Sequence, residues 1–260
     1  MIRILSGVVL GAVALALIWF LSSIALLGVA LVVAAVAFTE YEKIVDAIGA
    51  KVPFWTALLA TLLACAMVPF QWVEIESVLA ATLLLIALNV LISDRVGTPL
   101  LADTAAAVLA PVYIGLPLGS LVGVHAMAGR EAVLLLIATV AVSDTAQFYT
   151  GRAFGRTPLA LLRSPKKTRE GAIGGFIIAP AFLAIAGSYW LPIAPPLWLA
   201  ALGVGIVMAG IIGDLFESML KRAADMKDSG ALIPGHGGVL DRIDALLFAA
   251  PVFYFFLRAL

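Results

Sequence analysis

The chain is poor in the residues that cross-link proteins or bind zinc and nucleic acids. It has one cysteine, Cys65, and two histidines, which excludes an intramolecular disulfide and a zinc cluster. Only 12% of the 260 residues are charged and the formal net charge is zero, so bulk charge gives no basis for binding nucleic acid. What is present is apolar, with 63% hydrophobic residues and a mean hydropathy of +1.14. This composition indicates an integral membrane protein.

Apolar segments follow one another along the whole sequence and predict an all-α, polytopic helical membrane bundle. We expect about nine transmembrane helices of roughly 20 residues each. The segments lie at 3–20, 22–38, 54–70, 77–92, 101–125, 131–150, 172–191, 196–214 and 243–259. Gly115 and Pro117 predict a kink within the fifth segment. Because the sequence shows no internal repeat, we expect a single membrane domain over residues 1–260.

The distribution of basic residues predicts the orientation of these helices. With a cytoplasmic N-terminus, 14 of the 16 Lys and Arg residues fall on the cytoplasmic side, and only Arg130 and Arg258 fall outside. The opposite orientation places the basic loop and the charged C-terminal block outside, against the positive-inside rule. We therefore expect a cytoplasmic N-terminus in a plasma (inner) membrane, with cytoplasmic loops at 151–171 and 215–242.

Residues 218–244 concentrate charge next to a predicted membrane boundary. They read S-M-L-K-R-A-A-D-M-K-D-S-G-A-L-I-P-G-H-G-G-V-L-D-R-I-D. Burying such residues at a bilayer is costly, so they predict a functional site. Polar residues recur here at helical spacing and predict one polar helix face: Asp214, Glu217, Ser218, Lys221, Asp225 and Asp228. His236, set among three glycines, is predicted either to contact a ligand or to be structural.

Carboxylates without a cluster of cysteine or histidine predict a hard cation. Asp241 and Asp244 share one face of a helix that begins there, and a divalent cation relieves the repulsion between two carboxylates. Mg²⁺ is expected, Mn²⁺ is a substitute, and a second cation is an open alternative. Helix N-capping by Asp241 is a compatible interpretation. Asp144, near the end of an apolar helix, also needs a partner, a metal or an aqueous cavity.

The segment 151–171 is strongly basic. It reads G-R-A-F-G-R-T-P-L-A-L-L-R-S-P-K-K-T-R-E-G, with Arg152, Arg156, Arg163, Lys166, Lys167 and Arg169. Such a cluster holds phosphate groups, or else it serves only to orient the chain in the membrane. Glycines and hydroxyls beside the lysines favour a polyphosphate site, because backbone N–H groups can approach the ligand closely.

The block 218–244 resembles the signature of the phosphatidate cytidylyltransferase (CDP-diacylglycerol synthase) family. That signature has the form S-x-φ-K-R-x4-K-D-x-[GSA]-x2-φ-[PGS]-x-H-G-G-φ-x-D-R-φ-D, where φ is apolar, and every fixed position is present. The likeness extends to S-D-T…G-R…F-G at 143–155 and S-P-K-K-T-x-E-G at 164–171. The chain departs from the usual pattern at Arg169, where the family has Trp, and at Gln147 and Phe148.

The resemblance implies a Mg²⁺-dependent reaction, CTP + phosphatidate → CDP-diacylglycerol + pyrophosphate. It implies a homodimer among membrane lipids, with N-terminal helices in 1–130 and catalytic helices in 131–260. The implied metal ligands are Asp214 and Asp241, supported by Asp144 and Asp244. Asp214 and Asp241 are also implied to be catalytic, together with Lys221, Arg222, Asp228 and His236. The implied substrate-binding residues are Ser218, Lys227, Arg242, Lys166, Lys167, Thr168, Arg152, Gly237 and Gly238.

Two other functions remain as alternatives. A related CTP-dependent enzyme acting on an ether lipid or a polyprenol would carry a similar block, and only its lipid selectivity would differ. A transporter of a phosphorylated solute could also use buried charges. The absence of repeats and the clustering of charge on the predicted cytoplasmic side disfavour transport.

Overall fold

The computed structural model describes residues 2–70, 74–92, 97–160, 164–192, 194–232, 235 and 237–260. In this part of the chain there are nine α-helices and one two-stranded antiparallel hairpin. The helices are α1 (Ile2–Phe20), α2 (Ser23–Ile48), α3 (Phe54–Met67), α4 (Ile75–Ile92), α5 (Thr98–Ala110), α6 (Leu116–Phe154), α7 (Arg169–Trp190), α8 (Pro196–Ala223) and α9 (Leu240–Ala259). The hairpin pairs β1 (Pro158–Ala160) with β2 (Ser164–Thr168), and a π-helical turn (Pro111–Gly115) joins α5 to α6. The predicted all-α class is confirmed.

Many of the helices are membrane-spanning by length and composition. Among the described residues, five helical stretches are long and apolar enough to cross a bilayer: Ser23–Ile48, Ile75–Ile92, Pro99–Phe154, Arg169–Trp190 and Pro196–Ala223. Large apolar side chains on them stay exposed, such as Leu91 at 82% and Tyr189 at 80%. Such an apolar surface is stable in contact with lipid chains rather than with water. The chain is a multi-pass membrane protein, and the total of nine spans stays a prediction.

Helix α2 extends to Ile48, well past the predicted end of its apolar segment at residue 38. Tyr41 and Ile44, both 0% exposed, lie on one face of this extension, so the helix continues as an amphipathic helix. It ends at Gly49, whose φ of +96° and N–H bond to the Asp46 carbonyl at 2.9 Å form a Schellman cap. The first polar residues after the predicted apolar segment therefore belong to the same helix.

One compact unit consists of Met1–Ala126 and Leu220–Ile243. In it, α3 packs directly on the π-helical turn and the start of α6. A Cβ atom on Gly115 would lie 2.4 Å from the carbonyl oxygen of Thr61, and one on Gly119 would lie 2.6 Å from that of Cys65. Glycine is required because the two backbones touch. A π-helical turn lies at the position where Gly115 and Pro117 predicted a kink or a broken helix.

The second compact unit consists of Met127–Met219 and Asp244–Leu260. Its part of α6 follows Gly129, whose φ of +81° interrupts the helix. Glycines again bring helices together: a Cβ atom on Gly203 would lie 2.6 Å from the Cα atom of Pro180, and one on Gly213 would lie 2.5 Å from the carbonyl oxygen of Asp244. This contact of α8 with α9 brings the chain around residue 214 next to Asp244.

The C-terminal end of α8 differs from the prediction. The helix ends at Ala223, and Asp225 adopts a left-handed conformation with φ of +54°. The amide of Met226 donates to the carbonyl oxygen of Lys221 at 2.8 Å, which closes the last turn. The predicted polar face is therefore helical only as far as Lys221. Asp225 and Asp228 do not continue it, because the chain turns away from the helix axis first.

The packing at the π-helical turn predicts a difference between two glycine substitutions. Gly115→Ala should lower the thermal unfolding midpoint in detergent, because its methyl group overpacks a backbone contact at a typical cost of about 1–3 kcal/mol. Gly28→Ala is the matched control, since a Cβ atom there would meet nothing within 4 Å. Equal midpoints for the two variants would contradict the close contact.

Candidate functional site

Seven of the predicted site residues line one cavity in the second unit. The cavity has a volume of about 490 Å³ and lies between α6, β2, α7, α8 and α9. The seven are Asp144, Arg152, Lys166, Lys167, Thr168, Asp214 and Asp244. Gln147, Phe148, Gly151, Ser164, Gly171, Ala172 and Ala245 complete the lining. Residues separated by up to 100 positions in sequence are thus brought together.

The cavity is lined by equal numbers of basic and acidic side chains. Three basic side chains and three carboxylates are among its lining residues. Lys167 Nζ forms an ion pair with Asp214 Oδ2, and both side chains are only about a quarter exposed, at 27% and 28%. Basic groups attract phosphate oxygens, whereas carboxylates attract a cation. The cavity is therefore suited to an anionic ligand that arrives together with a divalent cation.

The N-terminus of α7 contributes to the same cavity. Thr168 is its N-cap, and the Oγ1 atom of Thr168 accepts a hydrogen bond from the amide of Gly171 at 3.1 Å. Thr168, Gly171 and Ala172 all line the cavity. The first turn of a helix carries free N–H groups and a partial positive charge. Lys166 and Lys167 precede this turn directly, so one anionic group can contact both.

Glycines allow α6, β2 and α7 to approach each other closely around the cavity. A Cβ atom on Gly151 would lie 2.8 Å from Oγ1 of Thr168, and one on Gly171 would lie 2.7 Å from the carbonyl oxygen of Gln147. Larger side chains at either position would separate the helices. The glycines in G-R…F-G and T-x-E-G are therefore needed for packing, whether or not they also face a ligand.

Glu170 holds the base of the hairpin that carries the two lysines. Its Oε2 atom accepts hydrogen bonds from the amides of Arg156 at 3.1 Å and Thr157 at 3.2 Å. The amide of Arg169 donates to the carbonyl oxygen of Thr157 at 2.9 Å. These bonds tie the start of α7 to the chain that leaves α6. The glutamate of S-P-K-K-T-x-E-G was noted in the motif, but this role was not predicted.

In the first unit, Asp241 is the centre of a buried hydrogen-bond network. Its Oδ1 atom accepts from Lys221 Nζ at 2.5 Å. Its Oδ2 atom accepts from the amide of Ser229 at 2.8 Å, from the hydroxyl of Ser229 at 2.9 Å and from the amide of Gly238 at 2.8 Å. The side chain of Asp241 is 4% exposed. The bond from Gly238, which precedes α9, resembles the returning bond of a capping box.

These donors keep Asp241 ionised. The residue lies in the first turn of α9, outside the five candidate membrane spans. Burial raises the pKa of the carboxyl group, but the hydrogen bonds from Lys221, Gly238 and Ser229 outweigh that effect and lower the pKa to about 2. At neutral pH the carboxylate is therefore charged and forms an ion pair with Lys221.

The two glycines that follow His236 are required by the same network. Gly237 has φ of +83°, and a Cβ atom on it would lie 2.6 Å from Asp241 Oδ2. A Cβ atom on Gly238 would lie 2.3 Å from the hydroxyl oxygen of Ser229. The G-G pair thus makes room for a carboxylate and its donor. Contact of these glycines with a substrate stays a prediction.

The remaining predicted residues are distributed as follows. Arg222, Lys227, Asp228 and Arg242 are exposed and belong to the first unit. Ser218 is half-buried on α8 in the second unit and is not among the residues that line the cavity there. His236 and Arg163 lie outside the described residues. The structure brings the basic loop together with Asp144, Asp214 and Asp244, and it brings Lys221 together with Asp241.

The donor chemistry of the cavity fits a magnesium ion that is shared with a phosphate ligand. Within the described ranges, no group of three or more His, Cys, Asp and Glu side chains is close enough to hold a metal ion. Mg²⁺ commonly binds through one or two carboxylates together with substrate phosphates and water. Asp144, Asp214 and Asp244 supply such oxygens. Asp241 fits less well, because both of its oxygens already accept from protein donors.

Comparison with known families explains why this combination of motifs occurs. A model of the cytidylyltransferase family matches residues 1–260, the whole chain. The chain belongs to the cytidylyltransferase family. The resemblance inferred from the block 218–244 is therefore confirmed at the level of the family.

Curated relatives agree with this membership. The chain is similar to a phosphatidate cytidylyltransferase of Bacillus subtilis, with 35% identity over 187 residues that cover 71% of this chain and 68% of the relative. A protein of the same name from Thermotoga maritima is 35% identical over 184 residues, 65% of each chain. The chloroplastic phosphatidate cytidylyltransferase 5 of Arabidopsis thaliana is 42% identical over 138 residues, 52% of this chain. The match spans only 33% of the Arabidopsis protein, 43% of a relative from Escherichia coli and 55% of one from Helicobacter pylori.

Two features of this cytidylyltransferase-family chain were not predicted from its sequence. Gln147 lines the cavity, where its Nε2 atom donates to the Ser143 hydroxyl at 2.9 Å, although it had been noted only as a departure from the family pattern. Glu40, in the amphipathic end of α2, is 4% exposed and accepts hydrogen bonds from the start of α9. No local sequence pattern signalled this role of Glu40, because its partners lie nearly 200 positions away.

The network around Asp241 predicts an effect on stability. The family resemblance alone implies that Asp241→Asn abolishes most activity and leaves folding and insertion intact. The structure adds a cost, because an amide would remove the charge with which Asp241 pairs with Lys221, and breaking a buried pair typically costs about 3–5 kcal/mol. We expect a lower thermal midpoint for Asp241→Asn in detergent without ligands, and no change for the exposed control Asp46→Asn. Identical midpoints would show that the buried pair contributes nothing to stability.

Proposed function

We propose that this protein transfers the cytidylyl group of CTP to phosphatidate, which gives CDP-diacylglycerol and pyrophosphate. The observation that carries the proposal is the cavity of the second unit. There Lys166, Lys167 and the N-terminus of α7 line the same space as Asp144, Asp214 and Asp244. Membership of the cytidylyltransferase family and the names of its relatives support the same reaction.

The reaction is an in-line displacement at phosphorus. A phosphate oxygen of the lipid forms a bond to the α-phosphorus of CTP, and the bond from that phosphorus to the bridging oxygen of the β-phosphate breaks. The electron pair leaves with pyrophosphate. Such chemistry depends on positioning and charge neutralisation more than on a covalent nucleophile. Ser218 is accordingly a hydrogen-bonding residue in this proposal.

The side chains of the cavity have separate tasks. Lys166, Arg152 and the first turn of α7 hold the triphosphate oxygens. Asp214 fixes the position of Lys167 through their ion pair, so that the ammonium group is directed before substrate arrives. Asp144 and Asp244 remain as oxygen donors in the same cavity. A preorganised charge lowers the cost of reorganisation in the transition state.

We further propose that magnesium is the required cofactor. Asp144, Asp214 and Asp244 are the residues that would hold it in the cavity. The chemistry that Mg²⁺ supplies when bound is neutralisation of charge on the phosphate oxygens. Mn²⁺ is expected to substitute, and the metal role of Asp241 stays a prediction.

The setting of the reaction is also part of the proposal. The positive-inside distribution supports an orientation in which the N-terminus and the basic loop face the cytoplasm, where CTP is present, and the proposed membrane is the plasma membrane. Phosphatidate reaches the protein from the surrounding lipids. The homodimer is supported only by the resemblance to the family. Arg222, Lys227, Asp228, His236 and Arg242 keep their implied catalytic or phosphate-binding roles.

Nucleotide incorporation tests the reaction directly. Detergent-purified protein is given labelled CTP and phosphatidate, with or without Mg²⁺, and labelled ATP serves as the nucleotide control. We expect labelled CDP-lipid together with pyrophosphate, only with CTP and only with the divalent cation, and loss of product after chelation. If an ether lipid or a polyprenol phosphate gives product and phosphatidate does not, the lipid substrate is not phosphatidate. Failure to bind CTP would contradict the reaction itself.

The basic strand makes a separate prediction about substrate affinity. Lys167→Ala should raise the KM for CTP more than the KM for phosphatidate, because the lysine is predicted to contact the triphosphate. A charge-assisted hydrogen bond contributes about 1.5–3 kcal/mol, which corresponds to roughly a 10- to 100-fold change. Lys43→Ala, at an exposed lysine of the first unit, is the control. An unchanged KM for CTP would leave the basic loop with its orienting role in the membrane alone.

A further inference from the structure

Glu40 accepts three hydrogen bonds from the signature block, nearly 200 residues away in sequence. Its Oε1 atom accepts from the amide of Val239 at 2.9 Å, and its Oε2 atom accepts from the amide of Leu240 at 2.8 Å. The hydroxyl of Ser229 donates to Oε2 at 3.1 Å. All of these residues belong to the first unit. The carboxylate thus binds Ser229 within the loop between α8 and α9 as well as the residues where this loop enters α9.

Ser229 connects Glu40 to the Lys221–Asp241 pair. Its side chain is 0% exposed, and its hydroxyl oxygen lies 3.1 Å from Glu40 Oε2 and 2.9 Å from Asp241 Oδ2. A hydroxyl has a single proton, so its oxygen is held between two carboxylates that both require donors. A displacement of Glu40 therefore alters the hydrogen bonding of Asp241 through one intervening side chain, that of Ser229.

The loop is shaped around Glu40 as well as around Asp241. A Cβ atom on Gly230 would lie 2.7 Å from Glu40 Oε1, and one on Gly238 would lie 2.4 Å from Glu40 Oε2. A side chain at either glycine would therefore collide with the carboxylate. Such complementarity, together with an exposure of 4%, distinguishes Glu40 from Glu42, which is partly exposed, and from Asp46, which is exposed.

We propose that Glu40 is a positioning residue for the signature block and acts through Ser229 on the Lys221–Asp241 pair. The inference rests on the proposed function, since the importance of that pair comes from the cytidylyltransferase signature. Glu40 itself touches no substrate in this proposal. Its carboxylate fixes the first amides of α9 and thereby the direction of Asp241 toward Lys221.

The variant Glu40→Gln tests the proposal with little change in shape. The amide keeps one acceptor oxygen but places an NH₂ group against N–H and O–H donors, so at least one bond becomes a donor–donor clash. We expect faster hydrogen exchange in the peptide 237–243 and a kcat that falls by roughly 10- to 100-fold, as for other residues that orient reactive groups. The KM for CTP should change little, because an interaction that matters only in the transition state affects kcat and kcat/KM equally.

The matched control is Glu42→Gln, two residues along the same helix, where the side chain is partly exposed. It should retain wild-type exchange and turnover. Ser229→Ala is the second variant, in case Glu40→Gln fails to fold. It removes the bridging hydroxyl, keeps the Ser229 amide that donates to Asp241, and should lower kcat in the same direction by a smaller factor.

Three outcomes separate the possibilities. A lower kcat per folded molecule, with the thermal midpoint close to that of Glu42→Gln, supports positioning. Unchanged kcat, or a decrease that disappears after correction for the folded fraction, overturns it and leaves Glu40 as a purely structural residue. If the wild-type protein makes no CDP-lipid from any acceptor, the proposed function is wrong. The predicted effect of Glu40 on kcat is then wrong as well. Hydrogen exchange in 237–243 would then still report whether Glu40 holds the loop.

Discussion

A carboxylate that is buried in an apolar protein must have hydrogen-bond donors or a cation, and the arrangement of the charged residues in this protein meets that requirement. Asp241 is matched by Lys221 and by amides of the loop, Glu40 by the start of α9, and Asp214 by Lys167. Each match joins two segments that are distant in sequence. The sites are therefore assembled by the same interactions that make buried charge tolerable.

Glycine is the second structural requirement, because at several positions a side chain would collide with a buried carboxylate or with its donor. Gly237 and Gly238 admit Asp241 and Ser229, and Gly151 and Gly171 let α6, β2 and α7 meet beside the cavity. Between apolar helices the same residue type replaces side-chain interdigitation with backbone contact, as at Gly115 and Gly203. In this protein the glycines of the motifs permit close packing, and the functional side chains lie around these close contacts.

Local pattern was sufficient for much of the site and for the class of the fold. Hydropathy predicted the helices. The motifs S-D-T, S-P-K-K-T and D-R-I-D predicted Asp144, Lys167 and Asp244, and the polar helix face predicted Asp214; these four residues line one cavity. The end of α8 could not be predicted by periodicity, because Asp225 adopts a left-handed conformation that many polar residues tolerate. The role of Glu40 was not visible either, since its partners lie 189 to 200 positions away and no local spacing reports such a contact.

The hydrogen bonds between Glu40 of α2 and the block 218–244 have a consequence for the design of chimeric proteins. A chimera that exchanges only residues 218–244 separates Ser229, the two glycines and the first amides of α9 from the acid of their own chain that receives their hydrogen bonds. In this chain the last turns of α2 and the block therefore form one hydrogen-bonded unit, although they are nearly 200 residues apart in sequence. An exchange that carries both segments keeps these bonds intact.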